Sequence, residues 1–264
     1  MAIEPYTAAT GNLSCAWAEV LLRLLDPGVD GLSPAVAIVS EFTDDIPMEL
    51  AEIRDALDAE LGARGKANVH TVANTIFPAS LWRPGEPDDA ARLYARYERV
   101  WPRVRRDRRN HHGVYFRRLT SFRSGDRQDA EPVNQLQRMI ESFEASNHRR
   151  SALQAGLFDP TADHRSSRYL GFPCLQQVAF TPLGNDGLGV TGFYATQYQL
   201  EKAYGNYLGL CRLGRFVAAQ LDRRLVRMTC VASLALSGDV PKTSAFAQRL
   251  RTLMNRNPVE LRPA

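Results

Sequence analysis

The sequence predicts a single α+β domain, a mixed sheet with helices packed on one face, and three observations carry that prediction. Apolar and β-branched runs of strand length are interspersed with amphipathic helical segments, without the strict alternation a parallel α/β fold would require. A chain of 264 residues, 44% of them hydrophobic, can bury a full core and lies near the upper size of one compact domain. No internal repeat, low-complexity tract or Gly/Ser-rich linker divides it.

The elements follow in order. Ser14 caps a helix with Trp17, Val20, Leu21, Leu24 and Leu25 on one face, stopped by Asp26-Pro27-Gly28. Ala35 to Phe42 is a β-branched strand, and Asp44 or Asp45 caps a second helix carrying Leu50, Ile53, Leu57 and Leu61, ended by Gly62 and Gly65. Val69 to Phe77, rich in Val, Thr and Ile, reads as a strand or extended loop. Asp88 to Val104 is a helix presenting Leu93, Tyr97, Val100 and Trp101, which Pro102 should kink or end. Gly113 to Thr120 reads as a strand, Val133 to Phe143 as a helix, and Arg150 to Leu157 as another strand. Pro173 to Thr181 and Leu188 to Gln197 form a hairpin around Gly184-Asn185-Asp186-Gly187. A long apolar helix from Tyr204 to Leu225, a strand from Val226 to Leu236 and a helix from Thr243 to Met254 complete the chain.

Composition narrows the function classes. The 33 basic side chains nearly balance 29 acidic ones, for a formal charge of +4, so global charge does not argue for nucleic acid. The basic residues cluster locally from Arg99 to Arg127, including Arg103, Arg105, Arg106, Arg108, Arg109, Arg117, Arg118 and Arg123. Such a run is either a positive face for an anionic ligand or strand, or solvated helix ends and loops. The adjacent His111 and His112, beside Arg108 and Arg109, suit pH sensing or a phosphate contact, and suit an exposed loop at least as well. Cys15, Cys174, Cys211 and Cys230 are far apart, which suggests neither a disulfide framework nor a metal site. The start Met1-Ala-Ile-Glu-Pro-Tyr is not a basic region followed by an apolar run, and no segment reaches the roughly 18 apolar residues of a membrane helix. A cytoplasmic protein that does not enter the membrane is the expectation.

Chemistry concentrates between Asn147 and Phe180. Arg149-Arg150 opens one segment and Pro173-Cys174 opens the next, a layout suited to pairing an anion site with a thiolate. Other short motifs flank it. Gly113-Val114-Tyr115 with Arg117 is similar to a Gly-Pro-Val-Tyr-Gly-x-Gln-Trp-Arg segment, Asn134-Gln135-Leu136 to an Asp-Gln pair at a helix, Phe158-Asp159-Pro160 to Trp-Asn-Pro, and Tyr204-Gly205-Asn206 to Pro-Phe-Asn. Arg149-Arg150 matches Ser-Arg-Arg, and Pro173-Cys174 a Pro-Cys-His nucleophile motif. In this order, from Gly113 to Phe216, the chain resembles the thymidylate synthase family.

That resemblance implies a thymidylate synthase-like homodimer, with sheets packed back to back and each site completed by the partner's arginines. It implies a one-carbon (methyl or hydroxymethyl) transferase acting on a pyrimidine nucleotide or related ring, with 5,10-methylenetetrahydrofolate as carbon donor. Cys174 would be the nucleophile, its pKa lowered by nearby guanidinium groups. Tyr115 would lie near it, Arg149 and Arg150 would bind phosphate across the dimer, Arg117 belongs to the same substrate-binding set, and Asn206 would read the pyrimidine edge. Each residue has a plainer reading: Cys174 and Tyr115 as packing, Arg149 and Arg150 as surface charge, Asn206 as a helix cap.

The chain also departs from the family. The strand with a second phosphate arginine reads Phe193-Tyr194-Ala195-Thr196-Gln197-Tyr198, Leu175 replaces the histidine after the nucleophile, and no histidine follows His164. No Glu-Leu-Leu-Trp segment places the family's catalytic glutamate. An ordinary deoxyuridylate synthase is therefore not expected; a relative with another acceptor fits better. The alternatives are a non-catalytic nucleotide- or anion-binding dimeric scaffold and a nucleic-acid-binding protein.

Overall fold

A computed structural model describes residues 2–107, 110, 114–123, 131–145, 149–164 and 173–257. The chain is α+β, built on a six-stranded mixed sheet. Its elements are β1 (Ala2–Thr10), α1 (Leu13–Leu24), β2 (Val29–Val39), the short β3 (Phe42–Thr43) and β4 (Ile46–Pro47), α2 (Ala51–Ala63), α3 (Val69–Ile76), α4 (Asp89–Val104), α5 (Tyr115–Thr120) and α6 (Gln135–Glu144). Then come β5 (Gln154–Gly156), α7 (Pro160–Asp163), β6 (Leu175–Leu183), β7 (Gly187–Tyr198), α8 (Tyr204–Gln220), β8 (Arg224–Leu236) and α9 (Ala245–Arg256). The strand order is β1-β2-β8-β7-β6-β5. The β1/β2 and β7/β8 pairs are parallel and the others antiparallel.

Helices α1 and α8 pack on the sheet. Inward strand residues such as Ala37, Met228, Val190 and Val178 are buried against them. Period-two alternation sends the intervening residues to the other face. Cross-strand register aligns these in two rows: Thr7, Val36, Val231, Phe193, Gln177 and Gly156, then Ala9, Ile38, Thr229, Thr191, Ala179 and Gln154. Each is exposed or half-buried, and neither row holds a charge.

Helix α8 is buried on nearly every side. It approaches α3 so closely that a Cβ on Gly205 would lie 2.5 Å from the Val72 Cβ, and one on Gly209 2.9 Å from the Ile76 Cβ. Small residues one turn apart let the two backbones meet. The turn Gln199–Ala203 is a π-helix feeding directly into α8, so the helical backbone starts well before Tyr204.

Several elements differ from the sequence expectation for identifiable reasons. Val69–Ile76 is helix, not strand: the Asn68 side chain accepts the Thr71 N–H at 2.8 Å, and Val69, Val72, Ala73 and Ile76 fall on one buried helical face. Packing on α8 overrides the β-branched composition there. Tyr115–Thr120 is likewise helical; Gly113 lies outside the described residues. Of the strand expected from Arg150 to Leu157 only Gln154–Gly156 pairs, after a 3-10 turn at Arg150–Ala152. The first strand, β1, was not foreseen, and β2 starts earlier than Ala35.

Two caps also shift. Asn12, not Ser14, caps α1, accepting the Ser14 N–H at 2.9 Å. Ser14 is buried and its Oγ accepts the Leu50 N–H at 2.8 Å while lying 2.8 Å from the Tyr204 hydroxyl. Asp44 and Asp45 form the β3/β4 turn at positive φ, 51° and 62°, and cap no helix; the Asp45 carboxylate accepts the Leu225 N–H at 2.9 Å. Pro102 is accommodated inside α4. The hairpin β6/β7 forms around residues 184–186 as the turn residues predict.

Candidate functional site

Cys174 stands at the entrance to β6 and is exposed, whereas Cys15, Cys211 and Cys230 are buried. Its carbonyl accepts the Ala195 N–H at 3.0 Å, and the Gln176 amide donates to the Pro173 carbonyl, so the backbone around the thiol is fastened to β7 and to itself. Half-buried Tyr115, first residue of α5, lies beside it, with its phenol against the backbone amides of Cys174 and Leu175. Burial and the neighbouring thiol push the Tyr115 phenol up.

The thiol itself differs from expectation. Burial of its sulfur raises the Cys174 pKa, and among the described residues the opposing charge is the ammonium of Lys202 rather than a guanidinium. Arg149 and Arg150 are exposed on the 3-10 turn before β5, and within one chain the structure does not bring them to the sulfur. Within one chain the expected guanidinium lowering of the thiol is not seen among the described residues, because desolvation outweighs the Lys202 charge.

Arg117 points at α4, where it pairs with Glu98 and stacks 5.2 Å from the Trp101 ring centroid. Its neighbour Arg118 turns toward the site and acts on Tyr115. The Arg118 guanidinium also donates to the Leu157 carbonyl at 2.7 Å and to Asp163 Oδ1 at 2.7 Å. Asn206 is buried in the first turn of α8, and the preceding π-helical turn removes the cap reading. Of the arginine-rich stretch, Arg103, Arg105, Arg106 and Arg123 are exposed, while Arg108, Arg109, Arg127, His111 and His112 lie outside the described residues.

Two residues were missed. Lys202 sits on the π-helical turn, a distortion that re-aims side chains. Tyr194 is fully buried, its hydroxyl has no hydrogen-bond partner among the described residues, and it feels both Tyr115 and Cys174. Counting back along the hairpin from Gln177 opposite Phe193 puts Ala195 across from Leu175. A bulge puts Tyr194 there instead. Behind it lies a buried polar chain: the Gln199 amide donates to Gln197 Oε1 at 3.2 Å, Tyr207 donates to Gln199 Oε1 at 3.5 Å, and the Trp17 indole donates to the Gln199 carbonyl at 2.8 Å.

Among the described residues no cluster of three His, Cys, Asp or Glu side chains could hold a metal ion, and no helix is long and apolar enough to cross a membrane. No family model and no curated protein matches the chain.

The raised thiol makes a direct prediction. Iodoacetamide should label Cys174 alone in the native protein, with a pH midpoint above that of a free cysteine, because the thiolate is the reacting form. Lys202→Met should move the midpoint further up, since it removes the charge that favours thiolate. A midpoint below the free-cysteine value, read by mass spectrometry of labelled peptides, would contradict the desolvated environment.

Proposed function

We propose that the chain is a divergent thymidylate synthase-like enzyme: a one-carbon (methyl or hydroxymethyl) transferase for a pyrimidine nucleotide or related ring, with Cys174 as nucleophile. The observation carrying this reading is the surface thiol with the Tyr115 phenol against the Cys174 and Leu175 backbone amides and with Lys202, on the turn leading into the Asn206 helix, as the charge acting on the sulfur. The sulfur would add to C6 of the ring, opening the C5–C6 double bond and making C5 nucleophilic, while the thiol proton leaves to solvent or a basic neighbour. After the carbon is transferred, loss of the C5 proton and departure of the sulfur would restore the ring. Covalent activation divides one difficult bond formation into smaller barriers.

In this reading the protein is a homodimer in the cytoplasm. The two uncharged rows on the open sheet face support a face-to-face pair. Arg149 and Arg150, exposed and unattached to their own chain's thiol, would supply phosphate-binding charge to the partner's site, which would also counter the desolvation that raises Cys174.

The carbon donor implied is methylenetetrahydrofolate, whose pterin carries a donor edge that a carboxylate matches. Among the described residues no carboxylate acts on Cys174 or Tyr115, so these residues do not by themselves fit that group. What they can perform is the thiol addition. The raised thiol favours one second reading, a dimeric scaffold that binds a nucleotide or another anion without catalysis.

Release of a C5 hydrogen label from pools of pyrimidine nucleotides and nucleosides separates the two. The native protein should release label from at least one acceptor and Cys174→Ser from none. Silence from both, with equal ligand binding, would leave only the scaffold.

A further inference from the structure

We propose that a cavity between the segment 77–84 and α8 is a second binding site, for a small organic anion built on a single ring, such as an aromatic carboxylate. The cavity measures about 110 Å³ and is lined by Phe77, Ala79, Trp82, Pro84, Arg212 and Arg215. Its size falls in the class of the roughly 150 Å³ engineered cavity that takes benzene. Its lining combines an apolar wall with two guanidinium groups, and this combination selects a ligand that is both flat and negative.

The wall is rigid. The Phe77 and Trp82 rings meet edge to face at 5.8 Å, and both rest on Phe216, at 5.4 and 5.5 Å. The Trp82 indole donates to Asp89 Oδ2 at 2.8 Å, and the other oxygen of that carboxylate takes the Gln220 amide at 2.8 Å. That carboxylate is therefore engaged in holding the wall.

The charges are unbalanced. Arg212 and Arg215 are one helical turn apart on α8, where like charges repel. Arg212 donates to Asn74 Oδ1 at 3.1 Å and lies 2.6 Å from His70 Nδ1, neither of them a carboxylate. Burial lowers its pKa, and Glu49 acts on it only at a distance. Arg215 lies over the Trp82 ring at 5.8 Å, and among the described residues it has no carboxylate partner. A bound carboxylate would relieve the repulsion, accept from both forks and stack on the wall. The site lies along α8 from Asn206 by roughly 9 Å or more, at about 1.5 Å per residue, and shares no lining residue with the surroundings of Cys174. It stands independently of the transferase reading.

The probes are benzoate, its neutral isostere benzamide and inorganic phosphate, each titrated into the full chain by calorimetry with tryptophan fluorescence in parallel. Benzoate should bind saturably in the millimolar range or tighter, about tenfold better than benzamide and better than phosphate, and Arg215→Gln should weaken it about tenfold. Equal affinity for benzoate and benzamide on the native protein would overturn the role of the guanidiniums even if the variant folds poorly. Phosphate binding as tightly as benzoate would overturn the role of the ring wall, and no saturable benzoate binding would overturn the site. Unchanged benzoate affinity in a folded Arg215→Gln protein would do the same.

Discussion

Arg118→Ala is expected to destabilise the protein by about 3–5 kcal/mol, the cost of leaving a buried charge without its partner. Asp163 has a side chain only 1% exposed and faces Arg118 with both oxygens. The same carboxylate accepts the Asp159 N–H at 2.8 Å, and Arg118 also takes the Leu157 carbonyl. Gln135 adds a second clasp, donating to the Arg118 and Gly156 carbonyls at 2.9 and 2.8 Å and accepting the Gly156 N–H at 3.0 Å. Alanine would break one clasp and strand Asp163 in a space from which water is excluded. Against a total stability of about 5–15 kcal/mol for a typical domain, this is a large fraction. Urea unfolding of Arg118→Ala, Asp163→Leu and the double variant measures it, and the double should recover part of the loss because no lone charge remains. A loss below about 1 kcal/mol would mean that the pair behaves like an exposed one. Because α5 also carries Tyr115, the variant should alter Cys174 alkylation as well.

What the sequence revealed and what it hid follow from the range of the forces involved. The hairpin β6/β7 was legible because glycines and an Asn-Asp pair select its turn locally, and α4 was legible because its apolar positions repeat at helical spacing. Helix α3 was not: its valines, threonines and isoleucine favour a strand by propensity, and only the glycines of α8, more than a hundred residues later, let it pack as a helix. Cys174 stood out in the sequence from its Pro-Cys setting, but its electrostatics did not, since they depend on the burial of its sulfur and on Lys202 from a distant turn. Arg117 pairs with Glu98 on α4, while Arg118, one residue or about 100° of helix further on, turns inward. Asp163, the partner that turns Arg118 inward, lies in a different element. Lys202 and Tyr194 were hidden for the same reason: a π-helical turn and a bulge shift the register that periodicity assumes.

Val231→Lys is expected to convert a dimer into a monomer, and this substitution tests the proposed assembly at its centre. Val231 stands in the middle of the first uncharged row, flanked in register by Val36 and Phe193, and Phe193 is 41% exposed. Two adjoining uncharged rows on an open sheet face mark a surface suited to contact, and two such faces can bury one another by twofold symmetry. Placing an ammonium on each copy at that centre would set like charges against a desolvated surface, so the dissociation constant should rise by at least about 100-fold. The inward face is untouched by this change, because β8 alternates and its core contacts belong to Met228, Cys230 and Ala232. The thermal midpoint extrapolated to low protein concentration should therefore move little. Arg103→Glu, on the exposed side of α4, serves as a control of opposite charge change and should leave association unaltered. Sedimentation velocity across a concentration series gives the result. A native protein that stays monomeric at the highest concentrations would sink the face-to-face pair, and with it the supply of Arg149 and Arg150 to a neighbouring thiol. A dimer that survives Val231→Lys would place the interface elsewhere. If the variant does dissociate, loss of C5 label release in the monomer, with Cys174 still open to iodoacetamide, would show that the thiol needs charge from the second chain to react.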